Sequence, residues 1–183
     1  MTDEPFDQQC SSHFTYRALI EVGETWHRLR TANLPAEAET WNALRWLATE
    51  ILDPVCEQFG RVVITYGFSS RALTRQIRSR IDPSRDQHAG HELRPNGTPI
   101  CPRLGQAADF RIEGVSSGLI AAWIASHLPF DRLYFYGSDN PIHVSVGPQQ
   151  ARAIVDMMIG PSGRRVPQRR DVARFVEHHG APR

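Results

Sequence analysis

Asp109 and His143 sit in two short runs, Gly105-Gln-Ala-Ala-Asp109-Phe110 and Ile142-His143-Val144-Ser145-Val146, with two more imidazoles upstream in Asp86-Gln-His88-Ala-Gly-His91. Imidazole and carboxylate are zinc ligands, and three such ligands leave a fourth position open, as hydrolytic zinc sites do. On a strand, alternate side chains share a face. Asp109 therefore points with Ala107 and Arg111, opposite Phe110 and Ile112, and His143 points with Ser145, opposite Ile142, Val144 and Val146. The apolar faces predict the core, which leaves both polar residues towards a cleft. His88 or His91 would complete an open site, and both together would close it with four ligands. Cys101 is a further candidate, since thiolate suits zinc, but it is read first as a lone buried thiol.

Such residues need elements to hold them. Arg61–Tyr66 is rich in β-branched residues and reads as a strand, followed by strands at Ala107–Glu113, Arg132–Tyr136 and Ile142–Val146. The turn Gly137-Ser-Asp-Asn-Pro141 between the last two predicts a hairpin. Trp41, Leu44, Leu47, Ile51, Leu52 and Val55 recur at helical spacing from about Ala36 to Gln58, with a kink or break expected at Pro54. Further helices are expected near Phe14–Glu21, over residues 70–80, over Ser117–Leu128, from Pro148 to about Met158, and over Val172–His179. Residues 82–104 carry four prolines and Asn96-Gly97, which is loop chemistry. A loop of that length is usually functional or mobile. The pattern predicts an α+β fold with a small, mainly antiparallel sheet flanked by helices.

The chain has 183 residues and a net charge of +1, which suits one domain and gives no global pointer to nucleic acid or a membrane. All 21 basic residues are arginine, read as compositional bias before any functional device. Residues 150–183 hold seven arginines against Asp156, Asp171 and Glu177. A basic tail of that kind can bind phosphate, but it is read here as a short solvated arm, so nucleic acid is not expected as a partner. The expected organisation is a flexible leader over 1–13, a single domain over 14–160 and a basic tail over 161–183. Three widely spaced cysteines argue against a disulfide framework. With an acidic N-terminus that lacks signal-peptide character, they suggest a cytoplasmic setting.

The order Thr65-Tyr-Gly-Phe-Ser-Ser70, Asp86-Gln-His88, Gly105-Gln-Ala-Ala-Asp109 and Ile142-His143-Val-Ser resembles the M15 zinc peptidases, which share the hedgehog/D-Ala-D-Ala peptidase fold. Their pattern is Ser-Gly-Tyr-Arg-Ser, then Ser-x-His-x-x-Gly-x-Ala-x-Asp, then a closing strand such as Trp-x-His. Tyr16-Arg-Ala-Leu-Ile-Glu21 and Leu52-Asp-Pro-Val55 are similar to the leading helices of the phage-type branch, so the likeness in order covers roughly residues 14–150. It implies zinc ligands at Asp109 and His143, with His88 at the Ser-x-His position and His91 as its competitor. Three features depart from the pattern. Pro102 occupies the family's histidine position, so a loop of about fourteen residues is inserted within the motif. Asn140 stands where the catalytic glutamate is usual, and Asn cannot accept a proton from water. Ser69 replaces the motif arginine, with Arg71 nearest.

The resemblance implies a zinc-dependent hydrolase of amide or peptide bonds, similar to D,D- or L,D-carboxypeptidases and endolysins. In that reading Asp139, or else Glu92, takes the proton of the attacking water, and Arg71 holds the anionic end of a peptide substrate. The alternative is a catalytically impaired, zinc-stabilised binding module, with nucleic-acid association as a variant of it.

Overall fold

The computed structural model describes residues 5–77 and 82–180. Chain order begins with α1 (Tyr16–Ile20), α2 (Glu24–Leu29) and α3 (Ala38–Leu47), which runs through a wider turn, Ala48–Leu52, into α4 (Asp53–Phe59). Then come β1 (Val62–Tyr66), α5 (Arg71–Thr74), β2 (Gln106–Ile112), α6 (Ser117–His127), β3 (Arg132–Phe135) and β4 (Ile142–Val146). The chain closes with β5 (Ala153–Ile159), β6 (Arg165–Arg170) and α7 (Val172–His179). The fold is α+β, with one six-stranded sheet in the order β1-β2-β4-β3-β5-β6. Every neighbouring pair is antiparallel except β3 with β5.

One face of the sheet makes the core. Phe110, Leu133, Ile142, Val144 and Ile154 meet Leu44, Leu47, Ile51, Val55, Ile120 and Ile124 from α3, the wide turn, α4 and α6. The alternation that buries these residues sends Asp109 and His143 to the opposite face. The hairpin of β3 and β4 forms as expected, with Leu133 opposite Val144 and Tyr134 opposite His143.

The irregularity expected near Asp53 takes the form of a widened turn, Ala48–Leu52, between α3 and α4. The Asp53 amide bonds to the Ala48 carbonyl five residues back, and the widening there accommodates Pro54, which has no N–H and whose ring clashes with the usual acceptor. The helix expected from Pro148 to Met158 is instead strand β5. Ala151, Ile154, Val155 and Met158 fit helical spacing, but Gln150 and Arg152 have positive φ, and the β-branched Ile154–Val155 pair adds in parallel to the edge of β3.

The described residues of both end segments, 5–13 and 161–180, are built into the domain. In the leader, Cys10 is buried, and Asp53 accepts from Ser11 Oγ at 2.8 Å and from the Ser12 amide at 2.8 Å. In the tail, β6 pairs along β5, and α7 forms over the expected residues, with Phe175 buried 5.5 Å from Phe135. The helix expected over 70–80 appears as α5, and its last residues, 78–80, lie outside the described residues. Among the described residues, no helix is long and apolar enough to cross a membrane.

Candidate metal centre

Strand register draws one line of side chains across the face opposite the core. Tyr66 is opposite Asp109, Asp109 opposite His143, His143 opposite Tyr134, and Tyr134 opposite Val155. Two candidate ligands are thus fixed side by side by the ladder itself, since directly opposed residues have Cβ atoms only about 5 Å apart. His143 Nδ1 lies 2.8 Å from Asp109 Oδ1.

The third ligand arrives from the long loop. Residues 82–104 are largely irregular, as expected, yet residues 87–90 among them are buried: Gln87 is fully covered and His88 is 3% exposed. Gln87 takes a positive φ of 59°, which turns its side chain under the loop. Its Nε2 donates to the Leu104 carbonyl at 2.7 Å and to Asp131 Oδ2 at 3.0 Å, while its Oε1 accepts from Ser145 Oγ at 2.8 Å. Ser145 lies two residues from His143 on the same face of β4. One buried amide therefore ties the loop to the strand that carries the second histidine, and it presents His88 above the sheet.

His88 Nδ1 lies 2.8 Å from the Gly67 carbonyl. A carbonyl only accepts, so Nδ1 carries a proton and Nε2 is turned towards Asp109 Oδ1, at 3.3 Å. A lone pair facing a carboxylate would repel it. The contact is favourable in two states, an imidazolium against the carboxylate or a cation shared by both. Burial depresses the His88 imidazole, and the Asp109 carboxylate more than reverses this, so its pKa is raised. Burial likewise pushes the Asp109 carboxyl up, but His88 and His143 outweigh it and hold the group well below the usual carboxylate range. On the far side, His143 Nε2 is buried with no hydrogen-bond partner among the described residues.

One donor atom from each of His88, Asp109 and His143 lies within 4.8 Å of the others, and the three side chains could hold a metal ion. The donor set fits one: a proton-fixed histidine whose free nitrogen faces an anion, and that anion between two imidazoles. Outer partners that fix a ligating histidine in this way are a regular feature of metal sites.

The triad forms part of the wall of a cavity of about 620 Å³ that Trp26, Tyr66, Tyr134 and Tyr136 also line. The Tyr66 ring stands 4.1 Å from that of His88, and the Tyr134 ring 4.8 Å from that of His143. Arg103 lines the same space, its Nη1 donating to Tyr134 Oη at 2.8 Å and to the Arg85 carbonyl. No carboxylate pairs with it among the described residues, whereas Arg85 pairs with Asp82 at 3.2 Å. Asp86 also lines the cavity, and burial raises its pKa.

The other residues expected at the site lie elsewhere. His91 Nε2 accepts from the Gly105 amide at 3.1 Å, outside the triad, so the histidines do not build a four-ligand cage. Glu92 is buried and spent on the start of α3, accepting from the amides of Ala36 and Glu37 and from Thr40 Oγ1. Asp139 is exposed in the β3–β4 turn and does not line the cavity, and its neighbour Asn140 closes that turn through Tyr136. Arg71 is exposed and lines a different, smaller hollow with Arg75 and Arg94. Cys101 is a buried free thiol that donates to the Ser84 carbonyl, outside the triad.

Arg103, Gln87 and Tyr66 went unrecognised in the sequence. Gln87 alone had a signal, its place directly before His88. Gly105 is required where it stands: at φ +80° a Cβ would come within 2.0 Å of the Val146 carbonyl oxygen. No family model, no curated protein and no solved structure matches this chain.

Proposed function

We propose that this protein is a zinc-dependent hydrolase of amide or peptide bonds, with a hedgehog/D-Ala-D-Ala-peptidase-like fold, acting in the cavity above His88, Asp109 and His143. The observation that carries the reading is the convergence of two imidazoles and one carboxylate on a cavity large enough for a ligand of drug-like size. When bound there, zinc supplies Lewis acidity, polarising a carbonyl and acidifying water near neutral pH.

The chain's own groups supply the rest. Trp26, Tyr134 and Tyr136 give the substrate apolar walls that exclude bulk water. Arg103, fixed by Tyr134 and the Arg85 carbonyl, holds an anionic group through its remaining donors, the part expected of Arg71. Asp86, whose Oδ1 takes the His88 amide at 3.3 Å, presents the carboxylate that receives a proton, the part expected of Asp139. By resemblance the substrate is a peptide with a free carboxylate or a D-amino acid.

The specific observation favouring a non-catalytic, metal-stabilised binding module is that Glu92 and Asp139 both fall outside the cavity. Metal content of the purified chain, beside His88→Ala, Asp109→Ala, His143→Ala and His91→Ala, tests the common part. Near-stoichiometric zinc is expected, lost in the first three variants and kept in the fourth. Zinc retained in all four would overturn the assignment. Turnover of a peptide panel that includes D-amino acids then separates hydrolase from module.

A further inference from the structure

The basic tail is not a solvated arm: its strand β6 extends the wall of the metal cavity. Register carries the ligand row onward, because Tyr134 is opposite Val155 and Val155 is opposite Arg169. Directly opposed residues share a face, so Arg169 stands on the same face of the sheet as Asp109 and His143. Two residues along β5, Met157 is opposite Pro167, and both line the cavity with Val155. Two further on, Ile159 is opposite Arg165. On β6 the cavity-lining Pro167 is thus flanked, on its own face, by Arg165 and Arg169. Arg170 takes the other face, where Asp156 holds it at 2.9 Å. The Arg165 guanidinium donates through Nη1 to the neutral carbonyls of Tyr136 and Met157, each at 3.1 Å, and lies 5.1 Å over the Tyr136 ring. Those contacts fix it beside two residues of the cavity wall and leave Nε and Nη2 for a ligand. Arg169 is exposed and has no ion-pair partner among the described residues.

The cavity is graded in charge along its length. Its lining carboxylates are Glu24, Asp82, Asp86 and Asp109. Asp82 is matched by Arg85 and Asp109 by two histidines, while Glu24 follows Gly23, which backs onto Thr65 and Tyr66 of the opposite edge strand β1. On β5 and β6, every residue of this face is apolar or arginine. Acids and metal ligands therefore occupy one end, Tyr134, Tyr136, Val155 and Met157 the middle, and two arginines the rim beyond Pro167. In the sheet order β4 and β6 are three strand spacings apart, about 14 Å. An extended chain covers that span in about four residues. We propose that the cavity takes an extended peptide with bulky apolar side chains over Tyr134, Tyr136, Val155 and Met157, and an acidic side chain about four residues from the bond above the triad, held by Arg165 and Arg169. This rests on the reading of the cavity as a peptide site and adds the class of peptide, apolar with a distal acid.

Calorimetric titration of the full-length chain with N-acetylated hexapeptides, in excess zinc and in chelator, tests it. Each peptide carries two central phenylalanines, a free C-terminal carboxylate, and Glu, Gln or Lys at its first position. The Glu peptide should bind about fivefold more tightly than the Gln peptide, the upper range for an exposed ion pair, and the Lys peptide more weakly than either. Rising salt should narrow the gap, because exposed charges are screened. Arg165→Gln/Arg169→Gln should erase the preference. Arg169→Glu, at a position without a partner, should raise affinity for the Lys peptide with melting temperature and metal content unchanged. Equal binding of the Glu and Gln peptides to the wild type would overturn the proposal, as would a Glu preference that survives the double substitution, or failure of all three peptides to bind. Zinc content and turnover enter none of these comparisons. A chain that lacks zinc yet shows the Glu preference removes the hydrolase reading and keeps this one, and a zinc-loaded hydrolase indifferent to the distal charge does the reverse.

Discussion

Replacing Asp109 by Asn preserves shape and one acceptor oxygen while removing the only negative charge of the triad. In the metal-free protein His88 and His143 lose a charged partner at 3.3 and 2.8 Å. Hydrogen bonds to a charged group are worth about 1.5–3 kcal/mol. We expect the Asn variant to be less stable by about that amount, since the side chain is 28% exposed to the cavity and water softens the loss. For a chain of this length, each kcal/mol moves the melting temperature by about 2–4 °C. The expected fall in chelator is therefore about 3–12 °C.

Metal gives the sharper readout. Binding to the folded state alone stabilises by RT ln(1 + [L]/Kd), about 4 kcal/mol at a thousandfold excess over Kd, or about 8–16 °C. Loss of a direct ligand should exceed the 10- to 100-fold affinity cost typical of outer partners, removing more than about 2.7 kcal/mol of that gain. Scanning calorimetry of both proteins, in chelator and in excess zinc, separates the two effects. A zinc-induced rise of equal size in wild type and Asp109→Asn would refute the reasoning, because the ion would then be held elsewhere.

Acidity should act oppositely on the two forms. The folded pKa of His88 is raised, so its contribution is complete below the ordinary 6.5 and lost as pH climbs through the folded value. Asp109 is shifted down, so its contribution is present above 3.8 and lost as pH falls through the folded value. As pH rises from the ordinary 6.5 through the folded value of His88, chelated protein should lose melting temperature at this pair while zinc-loaded protein gains, as protons cease to compete for His88; parallel slopes in both forms would contradict this. Gln87→Leu leaves the Leu104 carbonyl, Asp131 and Ser145 short of a buried partner and should weaken zinc about 10- to 100-fold in competition with a chromophoric chelator. An unchanged zinc Kd beside a lowered melting temperature would show that Gln87 holds the loop without setting His88.

Much of the sheet was legible because each strand is written locally. Val62–Tyr66 is β-branched, and Phe110 and Ile112 alternate with Asp109 and Arg111, so one reading gives both the core and the ligand face. His143 followed by the same logic. The choice between His88 and His91 was not local: it depends on the positive φ of Gln87 and on bonds to Leu104, Asp131 and Ser145, up to 58 residues away in sequence. Strand β5 was misread because its apolar residues satisfy two periods, and the edge of β3 decided between them. Asp139, Glu92 and Arg71 were chosen by proximity in sequence to the motif, which says nothing about which side of a turn or helix a group occupies.

The centre is unevenly supported, and that unevenness bears on how it works. Asp109 and His143 cannot part without breaking the β2–β4 ladder, whereas His88 depends on a loop held by side-chain and turn hydrogen bonds, among them those of Gln87, Glu92 and His91 and the Ser69 amide to the His88 carbonyl. Affinity should therefore be a property of the loop more than of the sheet. The same loop region carries Asp86 and, near its end, Arg103, so the groups assigned to proton transfer and to anion binding move with the ligand that completes the site. A substitution that loosens residues 86–104 should thus degrade metal affinity and substrate binding together, while one in the β3–β4 turn, Asp139 included, should leave both intact. That coupling follows from placing the working acid and arginine on the loop, and a catalytic group in the turn would abolish it.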